Sequence, residues 1–300
     1  MKVTLDLDRL LAEGKISQSE YDRLLRFSAR DTGSLAFNLL VASGVIAVSC
    51  GLLAILPSPY TAITVGLVTS AFGIALGFVN PKRWKILSVV STLTGALLLG
   101  GGIISIGEGS PASFVIVAAI YVLAGCAARS GLLVSLAILA LASSLGARTG
   151  YQHAMYFLGI NKPGATVMVF FFMAIFLYQL SKVLPYEFKR LAIIASRTSV
   201  FVVNFGFWIG SLWGDRWGTL ALPRGLFAIG WAVALLATGI WAVFRNKRWV
   251  VNTIAAFGGI HFYTQWFERL GATPVSVVGA GLCAIIAAVG LRSLNKRMLQ

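Results

Sequence analysis

Runs of apolar residues, each stopped by a proline or a knot of charge, recur from Ser34 almost to the end of the chain. About 20 such residues span the roughly 30 Å hydrocarbon core of a bilayer as a helix. Ten runs are predicted as transmembrane helices: 35–56, 61–79, 86–106, 112–128, 131–147, 164–181, 191–213, 222–244, 249–267 and 272–291. Pro57, Pro59, Pro81, Pro111, Pro163, Pro185, Pro223 and Pro274 fall at or near proposed ends. There a proline interrupts a helix that is stopping or supplies its first turn. The fourth and fifth runs are short, with only Arg129 as a charged separator. The fold expected is all-α, a polytopic membrane helix bundle over 34–291.

Before the bundle, 1–33 reads as two short helices. Leu7, Leu10 and Leu11 form one apolar stripe, and Gly14 is a natural C-terminal stop, with Ile16 able to fold back on the first helix. Ser17 followed by Glu20 is a capping box that opens the second helix, whose apolar side is Tyr21, Leu24 and Leu25. Each helix is too short to stand alone in water. The pair is therefore expected to be a cytoplasmic hairpin packed on itself, on the membrane surface or on a partner protein. A basic tail, 292–300, closes the chain.

Composition fixes the class. Hydrophobic residues are 58% and charged residues 12% of 300, with a mean hydropathy of +0.84. A soluble domain of this length needs far more charge to cover its surface. The net charge of +15 could suggest nucleic acid, so its location matters. The six Lys and Arg of 1–33 are balanced by six Asp and Glu, and the whole excess lies in the bundle and tail. Counted with the N-terminal segment, alternate loops hold 20 of the 25 basic residues, and the other set holds only Arg148, Lys162, Arg216, Arg224 and Arg269. That is the bias of Lys and Arg kept on the cytoplasmic side. It predicts both termini in the cytoplasm, contact with anionic lipids at the Lys/Arg/Trp loops, and no nucleic-acid partner.

Lys82-Arg83-Trp84 recurs as Lys247-Arg248-Trp249, which reads either as a trace of duplication or as ordinary interfacial anchoring. Cys50, Cys126 and Cys283 each lie in an apolar run and suggest neither a disulfide framework nor a metal site. The polar N-terminus is not expected to be a signal peptide.

The candidate chemistry is a set of polar residues inside spans. In the ninth, His261, Gln265 and Glu268 are spaced four and three apart and share a face, with Asn252 nearer its start. In the seventh, Asn204, Trp208, Ser211 and Asp215 step by four, three and four. Polar side chains in hydrocarbon normally face a bundle interior or a wet cavity. One reading makes these eight residues the lining of an outward-facing polar vestibule between adjoining spans seven and nine. The other makes Asn204, Asn252 and Gln265 interhelical hydrogen-bond glue, with Asp215 and Glu268 as solvated loop residues. Arg197, shallow in the seventh span, is expected to snorkel to the headgroups. Gly73 and Gly77, Gly206 and Gly210, and Ala280, Ala284 and Ala288 mark close packing within the bundle or in a homo-oligomer.

The acidic-leucine helix, the Gly14-Lys15-Ile16-Ser17 turn and the following Ser19-Glu20-Tyr21-Asp22-Arg23-Leu24-Leu25 resemble the uncharacterised bacterial membrane proteins grouped as domain-of-unknown-function family 2157. Asn252, the aromatic run His261-Phe262-Tyr263, the last-span glycines Gly279 and Gly281, and the basic tail extend the resemblance to the last two spans. It implies a bacterial inner-membrane protein of this architecture, and no chemistry.

Catalysis is not expected. His153 and His261 are the sole histidines and have no ligand-spaced neighbours, so neither a metal nor another cofactor is predicted. Glycine-rich "GGGIISIGEG" lacks the Lys-Ser/Thr ending of a P-loop. No carboxylate sits at mid-membrane, which disfavours proton coupling through a buried acid. Two functions stay open: a permease or channel for a small solute, or a non-transporting scaffold or sensor acting through 1–33 and a partner.

Overall fold

The computed structural model describes residues 7–79, 84–152, 155–217 and 220–297. Lys82, Arg83, His153 and the last three residues of the basic tail lie outside them, as do 1–6. The described helices are α1 (Leu7–Ala12), α2 (Gln18–Ile55), α3 (Pro59–Val79), α4 (Lys85–Ile106), α5 (Pro111–Ala127), α6 (Gly131–Ser144), α7 (Pro163–Val183), α8 (Tyr186–Trp213), α9 (Arg224–Phe244), α10 (Arg248–Leu270) and α11 (Pro274–Arg297). Of these, α3, α4, α7, α8, α9 and α11 are long and apolar enough to cross a membrane. Shorter apolar helices lie at Leu39–Ile55 within α2, in α5 and in α6. The protein is a multi-pass helical membrane protein. The class is all-α as expected, with two short antiparallel hairpins in the connections: β1 (Ala147–Gln152) with β2 (Met155–Ile160), and β3 (Asp215–Trp217) with β4 (Leu220–Leu222).

Helix ends follow the sequence closely. Ser110 caps α5, with Pro111 in the first turn, and Pro163 opens α7. Two connections of three residues each turn on a single left-handed residue. Arg129 (φ 49°) separates α5 from α6, and Asn246 (φ 52°) separates α9 from α10. The chain divides into two compact units, residues 1–113 with 119–133 and residues 114–118 with 134–300.

In the first unit the N-terminal hairpin forms as its residues dictate, with one difference. Ser17 accepts from the Glu20 amide while the Glu20 carboxylate accepts from the Ser17 amide, and the Tyr21 hydroxyl ties the two helices by donating to Asp8 Oδ1 at 2.8 Å. The second helix does not stop near residue 33. It continues through the expected boundary into the first apolar segment, because a capping box specifies only where a helix begins and no proline follows until Pro57. At 1.5 Å per residue, α2 is about 57 Å long, well beyond the hydrocarbon thickness.

Helices α3 and α4 are joined by a seam of small residues, Gly66, Ser70 and Gly73 on one side and Ser88, Thr92, Gly95 and Gly102 on the other. A Cβ on Gly73 would stand 2.5 Å from the Thr92 amide nitrogen and 2.8 Å from the Ser88 carbonyl. The proximity lets Ser88 donate across the seam to the Gly73 carbonyl at 2.7 Å, and Ser70 to the Thr92 carbonyl at 3.4 Å. In lipid, where apolar burial drives no association, such close backbone contact supplies the packing energy. The second unit repeats the device between α7 and α8. Gly206 lies against Val167 and the Pro163 carbonyl, and Ser196 donates to the Ala174 carbonyl at 2.8 Å. Of the predicted alanine stripe on α11, Ala280 is fully buried while Ala288 is exposed.

Gly73→Val should therefore cost about 1–3 kcal/mol of overpacking, read as a lowered unfolding temperature in detergent, with Gly101→Ala, where a Cβ meets nothing, as the near-neutral control. In the hairpin, the bond from the Ser17 amide holds the Glu20 carboxyl below its ordinary range. A depressed folded-state pKa contributes stability above the unfolded value and loses it as pH falls through the folded one. Amide protection factors at the start of α2, taken relative to the intrinsic exchange rate at each pH, should fall on acidification; Glu20→Gln, which keeps the reciprocal cap, should flatten that dependence.

Candidate functional site

The polar residues of α8 and α10 meet in the second unit, with α9 between and beside them. The core of this region is Trp231, Leu235 and Phe257, packed on Phe205, Phe207, Trp208, Ile254 and Ile260. Phe257 makes edge-to-face contacts with Phe201 and Phe205, 5.3 and 5.7 Å between centroids. Nearer the start of α10, the Arg197 guanidinium lies 4.5 Å from the centre of the Trp249 ring, an indole that holds the cation at an exposed position. Spans seven and nine of the sequence reading, α8 and α10, therefore adjoin.

Two of the eight predicted residues are committed to holding helices together. Asn204 is buried; its amide donates to the Val200 carbonyl at 2.8 Å, and its carbonyl accepts from Trp231 Nε1 of α9 at 2.9 Å. Trp208 Nε1 donates to Thr264 Oγ1 of α10 at 3.0 Å. His261 stands edge-on to Trp231, 4.9 Å between centroids, and its Nδ1 is buried with no hydrogen-bond partner among the described residues.

Asp215 takes a different direction from that expected. The left-handed Gly214 (φ 71°) turns the chain out of α8 into the β3–β4 hairpin. The carboxylate then reaches the start of α7, where Oδ2 accepts from the Gly164 amide at 2.7 Å. It is buried there, against the positive end of a helix, and so belongs to the α7 cap rather than to a face shared with α10. Asn252 also stands apart: it is exposed near the start of α10, nine residues and about 13 Å from His261.

Ser211, Gln265 and Glu268 do come together. With Arg224, Gly225 and Ala228 of α9 and Arg269 of α10, they line a cavity of about 180 Å³ where α8 and α10 finish and α9 begins. Arg224 Nη1 lies 4.0 Å from Glu268 Oε2 across its mouth. A second, more open cavity of about 200 Å³ runs between α9 and α10, lined by Ile229, Ala232 and His261 and sharing Ala228, Gln265 and Arg269 with the first. Both are shaped by small side chains on α9, at 225, 228 and 232, which leave room beside the long polar residues of α10. Below the first cavity, the bonds of Trp231 to Asn204 and of Trp208 to Thr264 tie the helices together.

The α9 wall lies outside the eight residues expected from the sequence. Its signals were the small-residue step of Gly225, Ala228 and Ala232, and Trp231, an indole N–H in an apolar run that must find an acceptor. Among the described residues no group of three or more His, Cys, Asp or Glu could hold a metal ion. No protein-family model, no curated protein and no solved structure matches this chain.

The Asn204–Trp231 bond should appear in a double-mutant cycle of Asn204→Leu and Trp231→Phe. A coupling energy of about 0.6–1.7 kcal/mol in reversible unfolding is expected for an interhelical hydrogen bond in a membrane protein.

Proposed function

We propose that this multi-pass membrane protein is permease-like and takes a small polar solute into the cavity between α8, α9 and α10. The observation that carries the reading is the convergence of Ser211, Arg224, Gln265, Glu268 and Arg269 on one cavity. A hydroxyl, an amide and charges of both signs can orient a polar molecule there. The neutral hydrogen bonds beneath act as its floor, and their parting would open a path toward Asn204 and the far side. In this reading the protein has ten crossings, with both termini in the cytoplasm of a bacterial inner membrane, and it carries out no catalysis. The resemblance at the N-terminal hairpin and last two spans supports the architecture and lends no substrate.

A second reading is supported by α2. Because one unbroken helix joins the hairpin of α1 to the first apolar segment, an event at the hairpin can be carried mechanically into the membrane, as in a scaffold or sensor with a protein partner.

Cysteine placed at Ser211 or Gln265, after Cys50, Cys126 and Cys283 are changed to Ser, should react with a membrane-impermeant thiol reagent from the face opposite the termini. In a permease a cysteine at Asn204 should also be labelled from the cytoplasmic face in a fraction of molecules. Lack of reaction at Ser211 and Gln265, while a control at Thr273 reacts, would overturn the solute-cavity reading. Deletion of 1–33 separates the two functions, since a permease keeps its labelling pattern and a scaffold loses partner-dependent activity.

A further inference from the structure

The two cavities that share Ala228, Gln265 and Arg269 differ in chemistry along one line. The first, at the end of the helices, has Ser211, Arg224, Gln265, Glu268 and Arg269 in its walls. The second follows the α9–α10 seam along the helices from Arg269 to His261, and its α9 wall is Ala228, Ile229 and Ala232. Ile229, Val233 and Leu236 of α9 are more than half exposed, so this side of the helix faces lipid and the seam opens to it sideways. Neither cavity, at about 180 and 200 Å³, reaches the roughly 300–1,000 Å³ of a pocket that encloses a drug-sized ligand. Joined at their common wall, they suit an elongated molecule with a polar end and an apolar end.

Charge narrows the class. Arg224 faces Glu268 at 4.0 Å, so that pair is nearly self-compensating, and Arg269 is the surplus cation among the described lining residues. A basic position between helices at headgroup depth attracts an anionic head. Gln265 lines both cavities, and deeper in the seam stands His261, whose Nδ1 is buried and has no hydrogen-bond partner among the described residues.

We infer that the α9–α10 seam binds a single-chain anionic amphiphile drawn from the membrane, its carboxylate-like head at Arg269 and Gln265 and its chain over Ala228 and Ala232. The inference rests on the solute-cavity reading and names the class of that solute as one that enters from lipid.

The test uses the full-length protein in phosphatidylcholine nanodiscs with a trace of a diazirine-bearing palmitic acid, illuminated and mapped by peptide mass spectrometry. Adducts should concentrate on 228–232 and 261–265. Arg269→Gln should reduce them about tenfold, the loss expected for one charge-assisted contact, and Ala232→Phe should block them by filling the seam. The corresponding diazirine alcohol, which lacks the charge, should show no enrichment there. Equal labelling by the acid and the alcohol, labelling spread evenly over all lipid-facing helices, or an Arg269→Gln variant that keeps its melting temperature and its adducts would each overturn the inference. If Gln265→Cys still reacts with the aqueous thiol reagent in that case, the solute cavity stands and only the amphiphile is lost. If it does not react, both fall together.

Discussion

A polar group carried into hydrocarbon has to find its partner inside the protein, because lipid offers none. That requirement organises the bundle. Ser88 and Ser196 each donate to a carbonyl of the neighbouring helix, and Thr92 and Ser199 turn back to the carbonyl one turn earlier on their own. Cross-helix bonds to backbone demand close approach, and only glycine and other small residues allow it. The α3–α4 and α7–α8 pairs are the result. Where the side chains are large, as among α8, α9 and α10, the same need is met by longer groups, with indole N–H of Trp231 and Trp208 reaching Asn204 and Thr264.

The polar stripes of α8 and α10 thus serve two purposes at two depths. Deeper in the bundle, Asn204 and Trp208 are spent on helix-to-helix bonds of modest strength, on the order of 0.6 kcal/mol each. Nearer the end, Ser211, Gln265 and Glu268 border a cavity that Gly225 and Ala228 leave open, with Ser211 donating to the Trp208 carbonyl of its own helix at 2.7 Å and Glu268 facing Arg224. Helix α10 carries so many polar residues that it is absent from the six long apolar helices. Its place is secured by its neighbours, through Phe257 and His261 packed on α8 and α9.

Most helix positions were legible because apolar runs bounded by proline are a direct statement about where a helix can lie in a bilayer. The continuation of α2 was not, since hydropathy reports the lipid boundary and says nothing about whether a polar helix simply carries on across it. The adjacency of α8 and α10 could be read from their matching polar faces. The role of α9 could not, because a wall built by absent side chains leaves little trace in composition. Asp215 was misdirected for a geometric reason: extrapolating the α-helical step past Trp213 ignored the turn at Gly214, which sends the carboxylate to Gly164 on another helix.

The contact between α3 and α4 also bears on motion. With backbone pressed on backbone at Gly66, Gly73 and Gly95, there are no flexible side chains between the two helices to absorb a shift. Sliding or rolling would collide main chain with main chain, so the pair behaves as a stiff keyed block. Between α9 and α10 the buried rings of Trp231 and Phe257 fix one stretch, while the small residues Gly225, Ala228 and Ala232 leave space beside the longer side chains of α10. At that end of the joint a side chain of α10 can change rotamer without moving a helix axis.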